Sequence, residues 1–251
     1  GFLMHKYNHK KIKPKIIFFS GAGLSAPSGI STFRDSDGLW ENHKIEEICN
    51  EFSWKKNFEA VHSFYNQRRN QLAEVEHNIA HKTIANIIKK YGEENVINIT
   101  QNVDDLFSRI NCKAIQVHGE LTKMECYACG NEWNIGYNSF DINKDRCPKC
   151  NSLKAVKPKI VFFGGQAPNY KKMFKSFDHG ENPKTIIIVI GTLGNVIPIN
   201  DIVKFFPAKK ILCNMEPSQY IIEENFDKVY FESIESAIFK IEKDIEELWD
   251  T

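Results

Sequence analysis

Lys15-Ile-Ile-Phe-Phe-Ser20 runs directly into Gly21-Ala-Gly-Leu-Ser-Ala26, and this junction decides the fold. The first half, β-branched and aromatic, reads as a short strand. The second half fits the G-x-G-x-x-G/A fingerprint of a dinucleotide-binding loop and precedes a plausible helix start. Glycines let such a loop turn sharply and bring its amides against a pyrophosphate, and the helix N-terminus adds a favourable field.

Working outward, further short runs read as strands at residues 96–100, 114–117, 159–163, 185–190, 209–213 and 228–231. Segments of helical period lie between and after them, at 54–75, 79–90, 169–177, 198–205 and 234–248. This alternation is the pattern of a parallel sheet with crossover helices, so the fold class is α/β. Two stretches interrupt it. Residues 35–75 carry helices and no strand, and 121–156 are turn-rich. The expected division is therefore a Rossmann-like parallel-sheet domain of residues 1–34, 76–120 and 157–251. The rest is a small domain made of a helical module at 35–75 and a metal-binding module at 121–156.

The 251 residues carry 33 Lys+Arg against 32 Asp+Glu, a formal charge of +1. Domains that neutralise a nucleic-acid backbone usually show a basic excess, so direct nucleic-acid binding is not expected. No apolar run approaches the roughly 20 residues that a membrane helix needs. The basic start, residues 1–15, lacks the apolar core of a secretory signal, and the three residues before Met4 read as an expression scar. Seven cysteines are few for a disulfide scaffold of this length and leave an odd one over. Reduced thiols in the cytoplasm are the better reading, with Cys49, Cys112 and Cys213 among apolar neighbours in the core.

The other four stand as Cys126-x-x-Cys129, 17 residues, then Cys147-x-x-Cys150, a spacing that suits tetrahedral zinc. Gly130 and Pro148 favour the tight turns that place paired sulfurs on one ion. Four thiolates leave no open position, so the expected Zn2+ is structural and lies away from the chemistry.

A Rossmann loop usually has an acidic residue about 20 positions on, at the end of the second strand, to hold a ribose. Glu41 has the offset but sits outside any strand. Glu216, with Asn214, follows the strand at 209–213 and is better placed. A generic dehydrogenase is weakened by this, dinucleotide binding is not.

Seven motifs in order then carry a resemblance. They are Gly21-Ala-Gly-Leu-Ser-Ala-Pro-Ser-Gly-Ile30 with Thr32-Phe-Arg34; Thr100-Gln-Asn-Val-Asp104; His118-Gly119; the four cysteines; Lys157-Pro158 with Phe163-Gly164; Gly191-Thr192; and Asn214-Met-Glu216. From about residue 15 to 231 the chain resembles the sirtuin family of NAD-dependent protein-lysine deacylases. The resemblance implies that NAD is consumed as a co-substrate. The acyl-amide oxygen of a modified lysine attacks C1′ of the nicotinamide ribose, nicotinamide leaves, and the acyl group ends on ADP-ribose.

By the same resemblance His118 is the general base that activates a ribose hydroxyl, a role suited to imidazole. Read alone, a His beside Gly after a strand would be structural. Gly21, Ala22, Gly23, Thr32, Phe33, Arg34, Gln101, Asn102, Asp104, Gly191, Thr192, Asn214 and Glu216 are the implied cofactor residues. Asp104 would position the carboxamide, although Asn102 could equally cap a turn beginning at Val103. Val161 and Phe163 would line a lysine tunnel. A substrate peptide would add a strand between 163–165, which includes Gly164, and 194–196. Leu193, Gly165 and Phe107 depart from the family pattern, at positions where Ser, Glu and His are frequent.

Tyr65 and Arg68 sit three apart on the expected helix at 54–75 and project from one face. A guanidinium grips a carboxylate through two hydrogen bonds and a phenol adds a third, whereas an acetyl group offers neither a partner. The pair resembles the Tyr-x-x-Arg of sirtuins that remove succinyl and malonyl groups, with deacetylation remaining compatible. Partners are therefore acyl-lysine proteins or peptides. The rival readings are a mono-ADP-ribosyltransferase and a non-enzymatic zinc-ribbon binding module.

Overall fold

The structure, a computed structural model, describes residues 12–30, the main chain of 39–40, and residues 43–249. In chain order the strands are β1 (Ile16–Ser20), β2 (Leu39–Trp40), β3 (His43–Lys44), β4 (Val96–Thr100), β5 (Ile115–Gln116), β6 (Gly119–Cys126), β7 (Glu132–Asn134), β8 (Val156–Ile160), β9 (Ile186–Ile190), β10 (Lys209–Asn214) and β11 (Lys228–Phe231). Six of them form one parallel sheet in the order β11-β10-β9-β1-β4-β5. The chain leaves β1 toward β4 and β5, then crosses back to β9 on the other side. The ends of β1 and β9 thus form a topological switch point, where open α/β sheets bind their ligands.

All five residues of β1 and all five of β9 are buried, because helices cover both faces. Side chains alternate across a strand, so each strand feeds two cores. Ile16, Phe18, Ile186 and Ile188 pack with Ile84, Ile87, Ile238 and Ile241 from the helices Ile79–Tyr91 and Ile234–Trp249. Ile17, Phe19, Ile187 and Val189 pack with Met173, Phe177 and Val203 from Asn169–Phe177 and Ile199–Val203. Burial of one such side chain is worth about 1.5–3 kcal/mol, so this double layer dominates the stability of the domain.

The sequence reading needs correction at three places. The run expected as a parallel strand at 159–163 is instead β8, shifted to Val156–Ile160 and antiparallel to β6 in a separate three-stranded sheet β7-β6-β8. The stretch read as turn-rich begins inside the eight-residue β6, and both β6 and β8 run across the boundaries drawn at 120–121 and 156–157. Residues 35–75 do hold strands, the short antiparallel pair β2–β3. The main helix there, Phe58–Leu72, packs Phe64, Tyr65 and Leu72 against Leu121, Ile160 and Phe162, so the helical module is docked on the small sheet.

Arg69 on that helix is fully buried, and its guanidinium donates to the carbonyls of Asn138 and Leu121 and to Asn66 Oδ1. It fastens the helix to the metal-binding module. Cys49, Cys112 and Cys213 are all buried thiols, as the composition suggested.

Candidate active site

The turns after β1 and β9 meet backbone to backbone. Gly21 N–H donates to the Ile190 carbonyl and Gly23 N–H to the Gly191 carbonyl, each at 2.9 Å. A Cβ on Gly23 would come within 2.5 Å of Gly191 Cα, and Gly191 adopts φ +61°. Only glycine fits such an approach. Around it, Asn102 Nδ2 donates to Gly21 O at 2.9 Å and Gln101 Nε2 to Thr192 Oγ1 at 3.0 Å. Asn214 accepts from Thr192 N–H and donates to Thr192 O, both at 3.0 Å.

The ends of β1, β4, β9 and β10 therefore bring Gly21, Gly23, Gln101, Asn102, Gly191, Thr192 and Asn214 into one network, with Ala22 exposed at the start of the helix Ala22–Ser25. This glycine-only cradle at the switch point fits a dinucleotide phosphate. Glu216 lies exposed two residues beyond the buried Asn214, outside the network. Thr32, Phe33 and Arg34 lie outside the described residues.

Asn102 is no helix cap. Its side chain reaches back to Gly21, and the short helix Leu106–Arg109 is preceded by Asp105. Asp104 accepts from Leu106 N–H at 3.0 Å and from the Ser25 hydroxyl at 2.8 Å. Burial raises its carboxyl pKa, and these two donors act against the rise. The buried His81 stands behind Ser25, with Nε2 3.3 Å from Ser25 Oγ. Asn78 N–H donates to His81 Nδ1, so in the neutral ring Nε2 carries the proton and donates toward Ser25. Phe107, one of the departures, packs edge-on against His81 with ring centroids 4.9 Å apart.

His118 sits between β5 and β6. Its Nε2 is 2.7 Å from the Tyr170 hydroxyl, and its carbonyl accepts from Val161 N–H at 2.9 Å. Burial lowers the ring's pKa below the usual 6.5, while the Gln101 main chain raises it. The imidazole is therefore neutral, and able to act as a base, at neutral pH.

From Val161 the chain leads toward Tyr65 and Arg68, the pair expected to select the acyl group. Phe163 N–H donates to Cys49 O at 2.8 Å, and Glu51 N–H donates to Phe163 O at 3.0 Å. Cys49 Sγ is 3.1 Å from Tyr65 Oη, and the Tyr65 ring stacks on Phe162 at 5.8 Å. Arg68 lies on the same helix with its guanidinium 4.4 Å from the Phe64 ring centroid and Nη1 3.4 Å from Gln71 Oε1. Burial pushes Arg68 down, and the polarity of Tyr65 and Cys49 acts against that. Burial also pushes the Cys49 thiol up to about 11, so it is neutral. Val161, Phe163 and Tyr65 are thus linked to His118 through the chain at 161–163 and the contacts at Cys49, and Arg68 lies one turn from Tyr65 on the same helix.

In the metal-binding module the two Cys-x-x-Cys turns are built alike. Cys126 N–H donates to Asn131 O and Cys147 N–H to Ser152 O, while Gly130 N–H and Asn151 N–H return to Cys126 O and Cys147 O. The left-handed residue is Gly130 in one turn, φ +77°, and Asn151 in the other, φ +62°. Asn151, and not Pro148, therefore plays the part of Gly130. The sulfurs of Cys126 and Cys150, and of Cys129 and Cys147, are 3.6 Å apart, and all four lie within 4.8 Å of one another. Four thiolates about 2.3 Å from one zinc ion stand about 3.8 Å apart, so the donor set fits.

The module has a small apolar cluster of its own, Met124, Cys126, Phe140, Cys147 and Val156. Stripping the metal with a strong chelator is expected to lower the melting temperature by roughly 10 °C or more, with one zinc per chain released. An unchanged melting curve would show that the cysteines hold no structural ion.

Sequence reasoning missed Tyr170, His81 and Cys49 as neighbours of the site. Ser25 lay inside the glycine-rich motif without being assigned a role.

The sequence pattern of the Sir2 family matches residues 21–198. A curated protein of Helicobacter hepaticus, named NAD-dependent protein deacylase, is 41% identical over 94% of this chain and 99% of its own. One of Campylobacter jejuni with the same name is 42% identical over 92% of this chain and 95% of its own. Among solved structures, a Sir2 homologue mutant in complex with 2′-O-acetyl ADP ribose gives a TM-score of 0.79 at 27% identity, covering 98% of both chains. A Sir2 homolog–NAD complex gives 0.78 at 28% identity, covering 96% of this chain and 94% of that one.

Proposed function

The chain belongs to the Sir2 family, and from that premise we propose how its own residues perform NAD-dependent deacylation of protein lysines, with succinyl and malonyl groups preferred and acetyl tolerated. The observation that carries this reading is the unbroken run of contacts from His118 through Val161 and Phe163 to Cys49 and Tyr65. It supports a reading in which His118 is the base and Tyr65 with Arg68 selects the acyl group.

When bound, NAD supplies the ADP-ribosyl group that receives the acyl group as nicotinamide departs. Gly21 and Gly23 let the main chain approach its phosphates, and Asn102, Asp104, Thr192 and Asn214 fix its orientation at the switch point. Ala22, Gln101, Gly191, Glu216 and the segment Thr32-Phe33-Arg34 complete the proposed cofactor set. His118 accepts a proton at Nε2 from a ribose hydroxyl. Val161 and Phe163 line the passage for the modified lysine.

The main chain of Phe163 is already paired to residues 49–51, so alternate residues, Gly164 first among them, are the ones that offer hydrogen bonds to an added peptide strand. Such main-chain recognition gives affinity with little dependence on peptide sequence. Arg68 and Tyr65 hold the distal carboxylate of an acidic acyl group. Cys126, Cys129, Cys147 and Cys150 would hold zinc, which stabilises the module and takes no part in the chemistry.

No described helix is long and apolar enough to cross a membrane. Three buried free thiols and a four-thiolate site suit a reducing cytoplasm.

The destination of the ADP-ribosyl label tests the reaction class. With NAD labelled in its adenosine half and a succinyl-lysine peptide, the label is expected in free acyl-ADP-ribose, one per nicotinamide released. Label retained on protein instead would establish the ADP-ribosyltransferase reading.

A further inference from the structure

We propose that Tyr170 is a positioning residue for His118: its hydroxyl donates to Nε2 in the free enzyme, and the ribose hydroxyl must displace it before proton transfer. This deepens the reading of His118 as the base and rests on it. The Tyr170 hydroxyl is 2.7 Å from Nε2, with ring centroids 5.7 Å apart.

The direction of the bond follows from the other side of the ring. The Gln101 main chain acts to raise the ring's pKa, the sense in which a carbonyl facing a ring N–H acts. Nε2 faces Tyr170, which leaves Nδ1 to carry that proton. In the neutral ring Nε2 is then a bare lone pair, and the phenol is its donor. Burial raises the Tyr170 pKa, which keeps the phenol protonated beside a neutral imidazole.

A phenol on Nε2 is the same kind of group, in the same place, as the ribose hydroxyl that His118 has to deprotonate. One lone pair cannot serve both. The tyrosine thus fixes the reactive tautomer before the cofactor arrives, at the cost of occupying it.

Tyr170 is half-buried at the first turn of Asn169–Phe177, and its ring packs against the edge of one core cluster. The start of that helix is tied to the sheet by Asn169 Nδ2, which donates to Gln116 O at 2.9 Å. The ring can therefore leave Nε2 without the helix leaving the sheet. Charged groups on the flanking strands, Glu120 with Lys123 and Lys159, pair with one another at 3.1 and 3.8 Å. Tyr170 is thus the side chain from Asn169–Phe177 that sets the state of Nε2, and the Gln101 main chain, just past the end of β4, is its counterpart.

Tyr170→Phe keeps the ring and removes only the donor. A hydrogen bond to the neutral imidazole favours that form, so its loss raises the pKa of His118. In the free protein, a 15N-histidine NMR titration is expected to show the His118 pKa higher by about half a unit or more, with a weaker bias toward the Nδ1–H tautomer. In turnover, the acidic limb of kcat/KM should move to higher pH by the same amount. Above that limb the KM for NAD should fall severalfold while kcat stays within about twofold. An unshifted His118 titration in a folded variant would overturn the proposal, as would a lowered melting temperature with titration and KM unchanged. The titration needs no turnover, so its outcome stands whether or not His118 proves to be the base.

Discussion

His118→Ala is expected to abolish acyl transfer, a loss of about 10²–10⁴-fold or more, while leaving the protein folded and its zinc in place. Among the described residues around the end of β5, no second side chain is placed to replace the imidazole. Tyr170, its nearest partner, is a phenol whose pKa burial raises, and a protonated phenol is no base. The ring is neutral near pH 7 because burial lowers its pKa, so the basic form is present at neutrality and is lost as pH falls through the folded value.

The substitution should not propagate. The main-chain bond from Val161 to the His118 carbonyl does not involve the ring. The four cysteines stand beyond β6 in their own cluster. Acyl-ADP-ribose formation and zinc content, measured on the same sample, check both halves. Turnover near the wild-type rate in a zinc-replete variant would refute the assignment of the base.

The parallel sheet was legible because its central strands are local signals. Ile16–Ser20 and Ile186–Ile190 are continuous apolar runs, and burial on both faces demands that pattern. The small sheet was harder to read. In β6, Met124 and Cys126 point inward while Lys123 and Glu125 do not, yet Cys126 also belongs to the metal motif, and the motif drew the whole stretch into a turn-rich reading. β8 contains Pro158 and the buried Lys157, whose ammonium is satisfied by Glu125 and by the carbonyls of Pro158 and Ile160. A buried lysine and a proline hide a strand that the tertiary structure accommodates.

At the site, residues inside contiguous motifs were legible and their partners from other elements were not. Gly21, Asn102, Thr192 and Asn214 came from motifs. Tyr170 reaches His118 across 52 positions and His81 reaches Ser25 across 56, and no periodicity or spacing encodes such contacts. Cys49 looked like an ordinary core thiol and is one, but its sulfur meets the Tyr65 hydroxyl.

Arg68→Met is the second large effect expected. Methionine keeps much of the apolar stem and removes the guanidinium that the proposed pair offers to an acyl carboxylate. Loss of a charge-assisted pair in a half-buried site costs about 1.5–3 kcal/mol, or roughly 10–100-fold in rate for an acidic acyl group. An acetyl group makes no such bond, and its removal should change little. Tyr65 is buried, stacked on Phe162 and bonded to Cys49, so its position does not depend on the guanidinium. The helix is also anchored independently by Arg69.

The most direct measurement is a mass-spectrometric comparison of acetyl-, succinyl- and malonyl-lysine peptides of one sequence, each with NAD, for the wild type and Arg68→Met. Nicotinamide and acyl-ADP-ribose are followed together. The expected result is stoichiometric formation of both, with succinyl and malonyl peptides consumed ahead of acetyl by the wild type and that order lost or reversed in the variant. Equal loss of all three activities on substitution, or acyl removal without nicotinamide release, would contradict it.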